Sequence, residues 1–411
     1  MPEVLLDIAG SHRPDDRKAE ERVMTQVKST PVVDRVALEK LRRVAPAALA
    51  ARRARQVVRP LPDEVSFKLT NRCNLRCHHC YEWSADGYHR TFEAEERNRD
   101  LDIRVVATVL DATRQRRANV FLWGGEPLFY SHWDDLAELL AEHRRWTSVC
   151  TNGVYIEKRL DSLLTISDRL EMFIALDGFE TEHDALRGAL SWRRTMKGLR
   201  RLVDERQAGN YRGEVTVNCV FQDSMVGKLF DFVTFLQDEG VDAVYLSYPW
   251  HISARTATLM DDYVAEHLPN VATRVPRGSG SWHSFTFALS PSVISDLRSD
   301  LARIDNADWR TKVRYNPEVD DASLEGFLAG SDRPASGRTR CLSINSRLDV
   351  LPSGEAITCK LFPELAVGQL ATSGLAEVWH GPELQELRQT VNQHGLMPVC
   401  AKCPVLYSRG A

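Results

Sequence analysis

The chain has 411 residues, of which 43% are hydrophobic and 27% charged, with a formal net charge of −4. This apolar content excludes a disordered chain, and no run approaches the roughly 18 apolar residues of a membrane-spanning helix. The acidic balance excludes a general nucleic-acid binder, whose phosphate contacts need a basic excess.

The start, MPEVLLDIAGSHRPDDRKAEER, lacks the basic-then-apolar order of a signal peptide. A cytoplasmic protein with no membrane or nucleic-acid partner is therefore expected. Nine cysteines, an odd number, suit metal binding or reactive thiols better than a disulfide framework in that compartment.

Residues 1–60 are a polar extension ending in ALEKLRRVAPAALAARRARQVVRP, a basic, helix-like run that reads as a solvated helix. From 61 to 250, short β-rich runs (VSFKL, NVFLW, WTSVC, LEMFIAL, EVTVNCVF, DAVYLSY) alternate with helical patterns such as LDIRVVATVLDATRQ and WDDLAELLAEHR. The alternation predicts the α/β class, as a partial (β/α)6 TIM-like barrel of right-handed βα units with its chemistry at the C-terminal strand ends. Residues 251–340, with TLMDDYVAEHL, SVISDLRSDLARI and the break RGSGSW, read as a helical bridge. Residues 341–411 open on Cys341, pass the hairpin-like SRLDVLPSGEAITC, and close on CAKC.

Seven of the cysteines fall into two groups. Cys73, Cys77 and Cys80 sit in NRCNLRCHHCYE, directly after the first strand, with the spacing C-x3-C-x2-C. Such a loop holds zinc if His78 or His79 supplies a fourth ligand, or three irons of a four-iron cluster whose last iron stays open. Cys341, Cys359, Cys400 and Cys403 bring four thiolates on two arms, a set that suits either zinc or an iron–sulfur cluster.

The first loop resembles the signature of the radical S-adenosylmethionine superfamily, with His79 and Tyr81 in the places of its planar residue and its tyrosine. The match continues in NVFLWGGEP, where Gly124, Gly125, Glu126 and Pro127 are similar to the family's motif for the methionine amino group. The glycines admit a close backbone approach, and Glu126 offers an anionic acceptor for the ammonium. CTNG, containing Asn152, and ALDG, containing Asp177 and followed by HDALRG, resemble motifs of the peptide- and sugar-modifying branch. Ala175 stands where that branch commonly has serine, so the hydrogen bond to the cofactor that the resemblance implies there is either missing or taken over by Asp177. By the same analogy Arg187 meets the cofactor carboxylate and Asn218 its ribose or carboxylate.

The resemblance implies a 4Fe-4S cluster on Cys73, Cys77 and Cys80 that reduces S-adenosylmethionine, releasing a 5′-deoxyadenosyl radical that takes hydrogen from a substrate. The C-terminal group, C-x12-G-x4-C followed by C-x2-C, resembles the twitch module, a shortened SPASM domain of β-hairpin plus helix. That implies an auxiliary 4Fe-4S cluster on all four cysteines, suited to accept an electron, and an external one-electron reductant of flavodoxin or ferredoxin type.

The expected function is an oxidoreductase of natural-product biosynthesis that dehydrogenates a sugar-like or aminocyclitol small molecule. The alternatives are a maturase that crosslinks or epimerises a precursor peptide, and a non-catalytic iron–sulfur scaffold or sensor, against which GGEP argues. Candidate catalytic residues are Cys150, a thiol at a strand end able to return hydrogen, and Glu171, barrel-facing by strand parity. Tyr248 and His251, with Tyr245 and Ser247, stand at the end of the sixth strand. Parity turns Cys219 toward the helices.

Overall fold

A computed structural model describes residues 58–410; the basic run before residue 58 lies outside the described residues. The six apolar runs form β1 (Glu64–Lys68), β2 (Asn119–Trp123), β3 (Thr147–Thr151), β4 (Leu170–Ala175), β5 (Glu214–Val220) and β6 (Ala243–Ser247). Between them lie α1 (Ile103–Ala112), α2 (Trp133–His143), α3 (Leu160–Thr165), the pair α4 (Glu180–Arg187) and α5 (Ser191–Gln207), and α6 (Leu229–Asp238). Successive strands pair in parallel and in sequence order, as repeated right-handed crossovers require.

The helices form where apolar residues recur at helical spacing. On α1, Val105, Val106, Val109 and Leu110 are buried, and the Asp102 carboxylate caps its start by accepting the Arg104 N–H at 2.9 Å. On α2, Trp133, Leu136, Ala137 and Leu140 make the same stripe. These faces share one continuous core with the outward-facing strand residues Val120, Leu122, Val149, Met172, Ile174, Val215 and Val217.

The sheet is wider than the sequence indicates. A seventh parallel strand, β7 (Lys312–Asn316), pairs with β6; it lies within the stretch read as a helical bridge, among α7 (Ala254–His267), α8 (Ile294–Asp305) and α9 (Asp321–Leu328). KVRYN gives no strand signal, because an edge strand left partly in water needs no apolar run. At the other side β8 (Arg347–Val350) pairs in parallel with β1, and β9 (Glu355–Ile357) and β10 (Ala366–Gln369) follow antiparallel. The C-terminal hairpin therefore continues the barrel sheet. Gly354 takes φ +83° in its turn, where a side chain would be strained and its Cβ would meet Gln369 at 2.6 Å. After the hairpin come α10 (Leu375–Trp379), α11 (Pro382–His394) and α12 (Pro404–Arg409).

The strand order, β10-β9-β8-β1-β2-β3-β4-β5-β6-β7, is an open arc. Its two faces differ. Residues turned to the helices are sealed, whereas Phe121, Ser148, Cys150, Glu171, Phe173, Asn218 and Tyr245 on the inner parity are half-exposed. A closed (β/α)8 barrel fills its interior with layers of side chains. Here water reaches the inner face, so the arc encloses a chamber.

Candidate active site

The cysteine loop leaves the end of β1 and is built as a seat for anions. The Leu75 N–H donates to Cys73 Sγ at 3.4 Å and the Trp83 N–H to Cys80 Sγ at 3.3 Å, while Arg187 Nη1 reaches Cys77 Sγ at 3.9 Å. Burial pushes the three thiols up, Cys80 to about 12 with Glu82 as the next cause. The bare loop therefore holds neutral thiols, and ligation by a metal must displace their protons.

Behind the loop lies a buried polar knot. Lys68 Nζ meets Glu82 Oε1 at 2.6 Å, Tyr88 Oη at 3.2 Å and His89 Nε2 at 3.1 Å, and Tyr88 donates to Glu82 at 2.7 Å. Each charge is paired, as burial demands. Trp83 Nε1 donates to the Asn71 carbonyl at 2.8 Å, and Arg76 covers its ring at 4.0 Å, closing the loop over its base.

The glycines of GGEP serve this loop. A Cβ on Gly124 would meet the Thr70 carbonyl at 2.6 Å, and one on Gly125 would strike the Arg72 carbonyl. Their bareness lets the end of β2 dock on residues 70–72, where the Gly125 N–H donates to Thr70 at 2.8 Å and the Glu126 N–H to Arg72 at 2.9 Å. The close approach seen here is backbone to backbone, a second use of the same bareness beside the expected approach of a ligand. Pro127 opens a 3-10 turn directly after Glu126.

Glu126 is fully buried and accepts from Thr151 Oγ1 at 2.6 Å, the Asn152 N–H at 2.8 Å and the Leu128 N–H at 3.0 Å. Of about four acceptor positions on a carboxylate, three are filled. Burial pushes its pKa up to about 7. The direct ammonium contact expected from sequence thus finds a carboxylate already tying β2 to β3. Asn152 extends the tie, its amide donating to Asn74 Oδ1 in the cysteine loop at 2.8 Å.

Asp177 and the HDALRG turn form a second clamp. Arg187 Nε donates to Asp177 Oδ2 at 2.5 Å, the Val220 N–H donates to Oδ1 at 2.8 Å, and His79 Nε2 stands 3.6 Å from Oδ2. Asp177 is thus committed to Arg187, and Arg187 to Asp177 and Cys77. Burial lowers His79 to about 4, so its ring is neutral beside the carboxylate. His183 accepts the Asp177 N–H at 3.1 Å, and Asp184 receives the Leu190 and Trp192 N–H groups at 2.7 Å, capping α5. Tyr81 lies against Phe285, ring centroids 4.4 Å apart.

Within the chamber, Glu171 accepts from Ser148 Oγ at 2.6 Å, and Asn218 accepts from Ser247 Oγ at 2.6 Å. Cys150 shares their face, its thiol pushed up by burial, with Lys360 the charge that pulls hardest the other way. Cys219 is sealed under the helices. Two expected residues lie elsewhere. Tyr248 is buried between Phe221 and Phe327, at 5.1 and 6.0 Å, because it follows the end of β6 on the helix-facing parity. His251 lies beyond the strand end beside the Lys402 charge, its Nδ1 buried without a partner.

The second cysteine group gathers from the sheet and the last helices. Cys359 and Cys400 each feel the charges of Cys341 and Cys403, so the four sulfurs form one cluster of donors. The Cys341 thiol pairs with Ser343 Oγ at 3.0 Å, and the Arg347 charge acts on Cys403. Arg347 itself is held by Asp349 through two bonds of 2.8 Å and by Glu64 of β1. Among the described residues no three such donors converge as a single metal ion requires; a four-iron cube instead has its thiolates spread around its corners.

An α/β arc with three thiols on the loop after its first strand and four more at its edge is the frame of an enzyme that works through iron–sulfur clusters. The superfamily follows from sequence comparison: the Radical SAM superfamily profile matches residues 67–221, and the SPASM iron–sulfur cluster-binding domain profile matches residues 341–404. The chain belongs to the radical SAM superfamily and is an enzyme with a C-terminal SPASM domain. S-adenosylmethionine and 4Fe-4S clusters, an auxiliary one included, go with these domains, and the N–H groups aimed at each sulfur of the first loop fit that ligation.

Among relatives, the pre-heme d1 synthase of Dinoroseobacter shibae is 28% identical over 79% of this chain and 75% of its own. The mycofactocin maturase MftC of Mycobacterium ulcerans is 28% identical over 80% of this chain and 77% of its own. The crystal structure of Streptococcus suis SuiB bound to precursor peptide SuiA covers 85% of this chain and 72% of its own with a TM-score of 0.55; at 14% identity this speaks for the fold. Among the described residues no helix is long and apolar enough to cross a membrane.

Sequence reasoning missed the Lys68–Glu82–Tyr88–His89 knot, although a lysine within the strand run VSFKL is a signal of a paired, inward charge. It also missed Lys360, which directly follows the ligand candidate Cys359 and reaches over the rings of Phe121 and Trp123 at 3.9 and 4.6 Å.

Proposed function

We propose that the chain is a radical maturase that modifies a peptide, with Cys73, Cys77 and Cys80 holding the radical-generating cluster and Cys341, Cys359, Cys400 and Cys403 the auxiliary one. The observation that carries the reading is the open arc with a water-accessible inner face, which leaves an extended chain a way in. The likeness to mycofactocin maturase over most of both chains supports it, and makes the sugar-like substrate expected from the short C-terminal module the weaker reading.

When bound, S-adenosylmethionine and the clusters supply one-electron cleavage, radical hydrogen abstraction and an electron acceptor. The protein's share is placement. Arg187 and two backbone N–H groups hold the first three sulfurs, Glu126 and Asn152 lock the strand ends beneath them, and the sealed outer face of the sheet confines chemistry to the chamber. There Cys150 is the candidate hydrogen donor and Glu171 the candidate base; Asn218 stands nearer the C-terminal strand ends, level with Ala175.

The test is anaerobic incubation of the reconstituted enzyme with dithionite and S-adenosylmethionine. Each short peptide encoded beside its gene is added in turn, and 5′-deoxyadenosine is measured alongside peptide mass. Nucleoside formed in step with a peptide mass change is the expected result. Turnover coupled to a sugar or tetrapyrrole, with every peptide unchanged, would overturn the proposal.

A further inference from the structure

Lys360 belongs by sequence to the auxiliary module and by position to the chamber. It follows Cys359, yet its ammonium stands 3.9 Å from the Phe121 centroid and 4.6 Å from that of Trp123, both on β2, and its charge acts on Cys150 of β3. Phe121 registers with Ser148 and Ser148 with Glu171, so this ammonium lies at the level of the chamber's polar wall.

The nearby acids are taken. Asp349 receives both arms of Arg347, and Glu64 also pairs with Arg347. Glu171 is engaged by Ser148 and Thr216 hydroxyls. Lys68, the other lysine on this side, is neutralised by Glu82. Among the described residues no ion pair with a carboxylate engages Lys360, and two ring faces hold its ammonium. The neighbouring Arg347 guanidinium, 5.6 Å from the same Phe121 ring, is already held by Asp349 and Glu64. Among the described residues the one uncommitted cation beside the polar wall is a seat for one compact anion, and a doubly charged phosphate would need further donors. In an unmodified peptide the compact anion is a carboxylate.

We propose that Lys360 is the substrate anchor of the chamber, binding a carboxylate of the substrate, either an acidic side chain or a chain terminus, so that the neighbouring carbon lies beside Cys150. The choice of carboxylate rests on the peptide reading above; the anchoring role does not.

The test is calorimetric binding to anaerobically reconstituted enzyme with S-adenosylmethionine present. The probes are acetyl-Ala-Glu-Ala-amide, acetyl-Ala-Gln-Ala-amide, acetyl-Ala-Ala-Ala with a free terminus, and succinate against succinamide. In wild type an acid should bind about tenfold or more tightly than its uncharged partner. Lys360→Met should erase that preference and Lys360→Arg should keep most of it, in proteins whose iron and sulfide contents match wild type. The glutamate and free-terminus peptides separate the two sources of carboxylate. Preference for succinate alone would support the anchor while removing the peptide reading. Equal binding of acids and amides, no binding by any acid, or a preference that survives in Lys360→Met would overturn the proposal.

Discussion

In the first cysteine group the three sulfurs come from one loop, Cys73 to Cys80, and each is met by a donor from that loop or from α4. In the second, the four sulfurs come from the start of the C-terminal module, its hairpin and the CAKC turn, and the hairpin that carries Cys359 is joined to the barrel where β8 pairs with β1. Each group has a buried arginine held by aspartate: Arg187 with Asp177 beside Cys77, and Arg347 with Asp349 near Cys403. The difference teaches that one site rests on a single loop at a strand end, whereas the other is built on a hairpin that continues the sheet and on the segments after it, so damage should spread differently from each.

The largest effect comes from the cysteines themselves. Replacing Cys73, Cys77 and Cys80 by Ala should lower iron from about eight to about four per chain, abolish 5′-deoxyadenosine and leave the unfolding midpoint nearly unchanged. Replacing Cys341, Cys359, Cys400 and Cys403 should also leave about four irons and allow nucleoside formation, but lower the midpoint, because Cys400 is part of the core. Iron and sulfide assays beside thermal unfolding check this. Equal destabilisation by both sets would break the comparison.

Next in size are the aspartates. Asp177→Asn strands a buried Arg187 and should cost about 3–5 kcal/mol. Asp349→Asn should cost less, since Arg347 retains Glu64. Urea unfolding of the two variants tests the order, and a larger loss in Asp349→Asn would show that the β8–β1 junction, not the loop clamp, is the more strained burial.

Acid should find the first site before the second. Burial, then the Arg187 charge, lowers His183 from 6.5 to about 4. The neutral ring accepts the Asp177 N–H, so its contribution is complete above pH 6.5 and is lost as pH falls from 6.5 toward 4. Between pH 7 and 5 that amounts to about 2 kcal/mol. Stability measured at both pH values should fall more in wild type than in His183→Gln; parallel losses would remove His183 from the clamp.

Much of this comparison is legible in the sequence, for physical reasons that differ by site. C-x3-C-x2-C, GGEP, TNG and HDALRG are local, so their resemblance to the superfamily's motifs points to the first site where spacing alone leaves zinc open, and strand parity separates Cys150 and Glu171 from Cys219 as the structure does. What spacing does not carry is which group a residue finally serves. The GGEP glycines meet the cysteine loop some fifty residues earlier, a contact between distant segments, and Asp177 meets Arg187 through a turn and helix whose geometry the spacing does not state. β7 escaped because a partly exposed edge strand of charged residues lacks the apolar signature on which strand reading depends.

The smallest expected effect sharpens the boundary of the chamber. Tyr245 and Tyr248 flank the end of β6 and look equivalent in sequence, yet Tyr245 faces inward against Phe173 at 5.0 Å, whereas Tyr248 is buried against Phe221 and Phe327. No hydrogen bond engages the Tyr248 hydroxyl among the described residues, and burial pushes its pKa up, so it is a neutral ring filling space. Tyr248→Phe keeps that ring and should change stability by no more than about 0.5 kcal/mol and turnover by no more than about twofold. Tyr245→Phe alters a polar group that substrate can meet and should change KM or product ratio instead. Loss of turnover in Tyr248→Phe with normal stability would mean that the strand end rotates toward the chamber during catalysis, and that the sealed face is not sealed throughout the cycle.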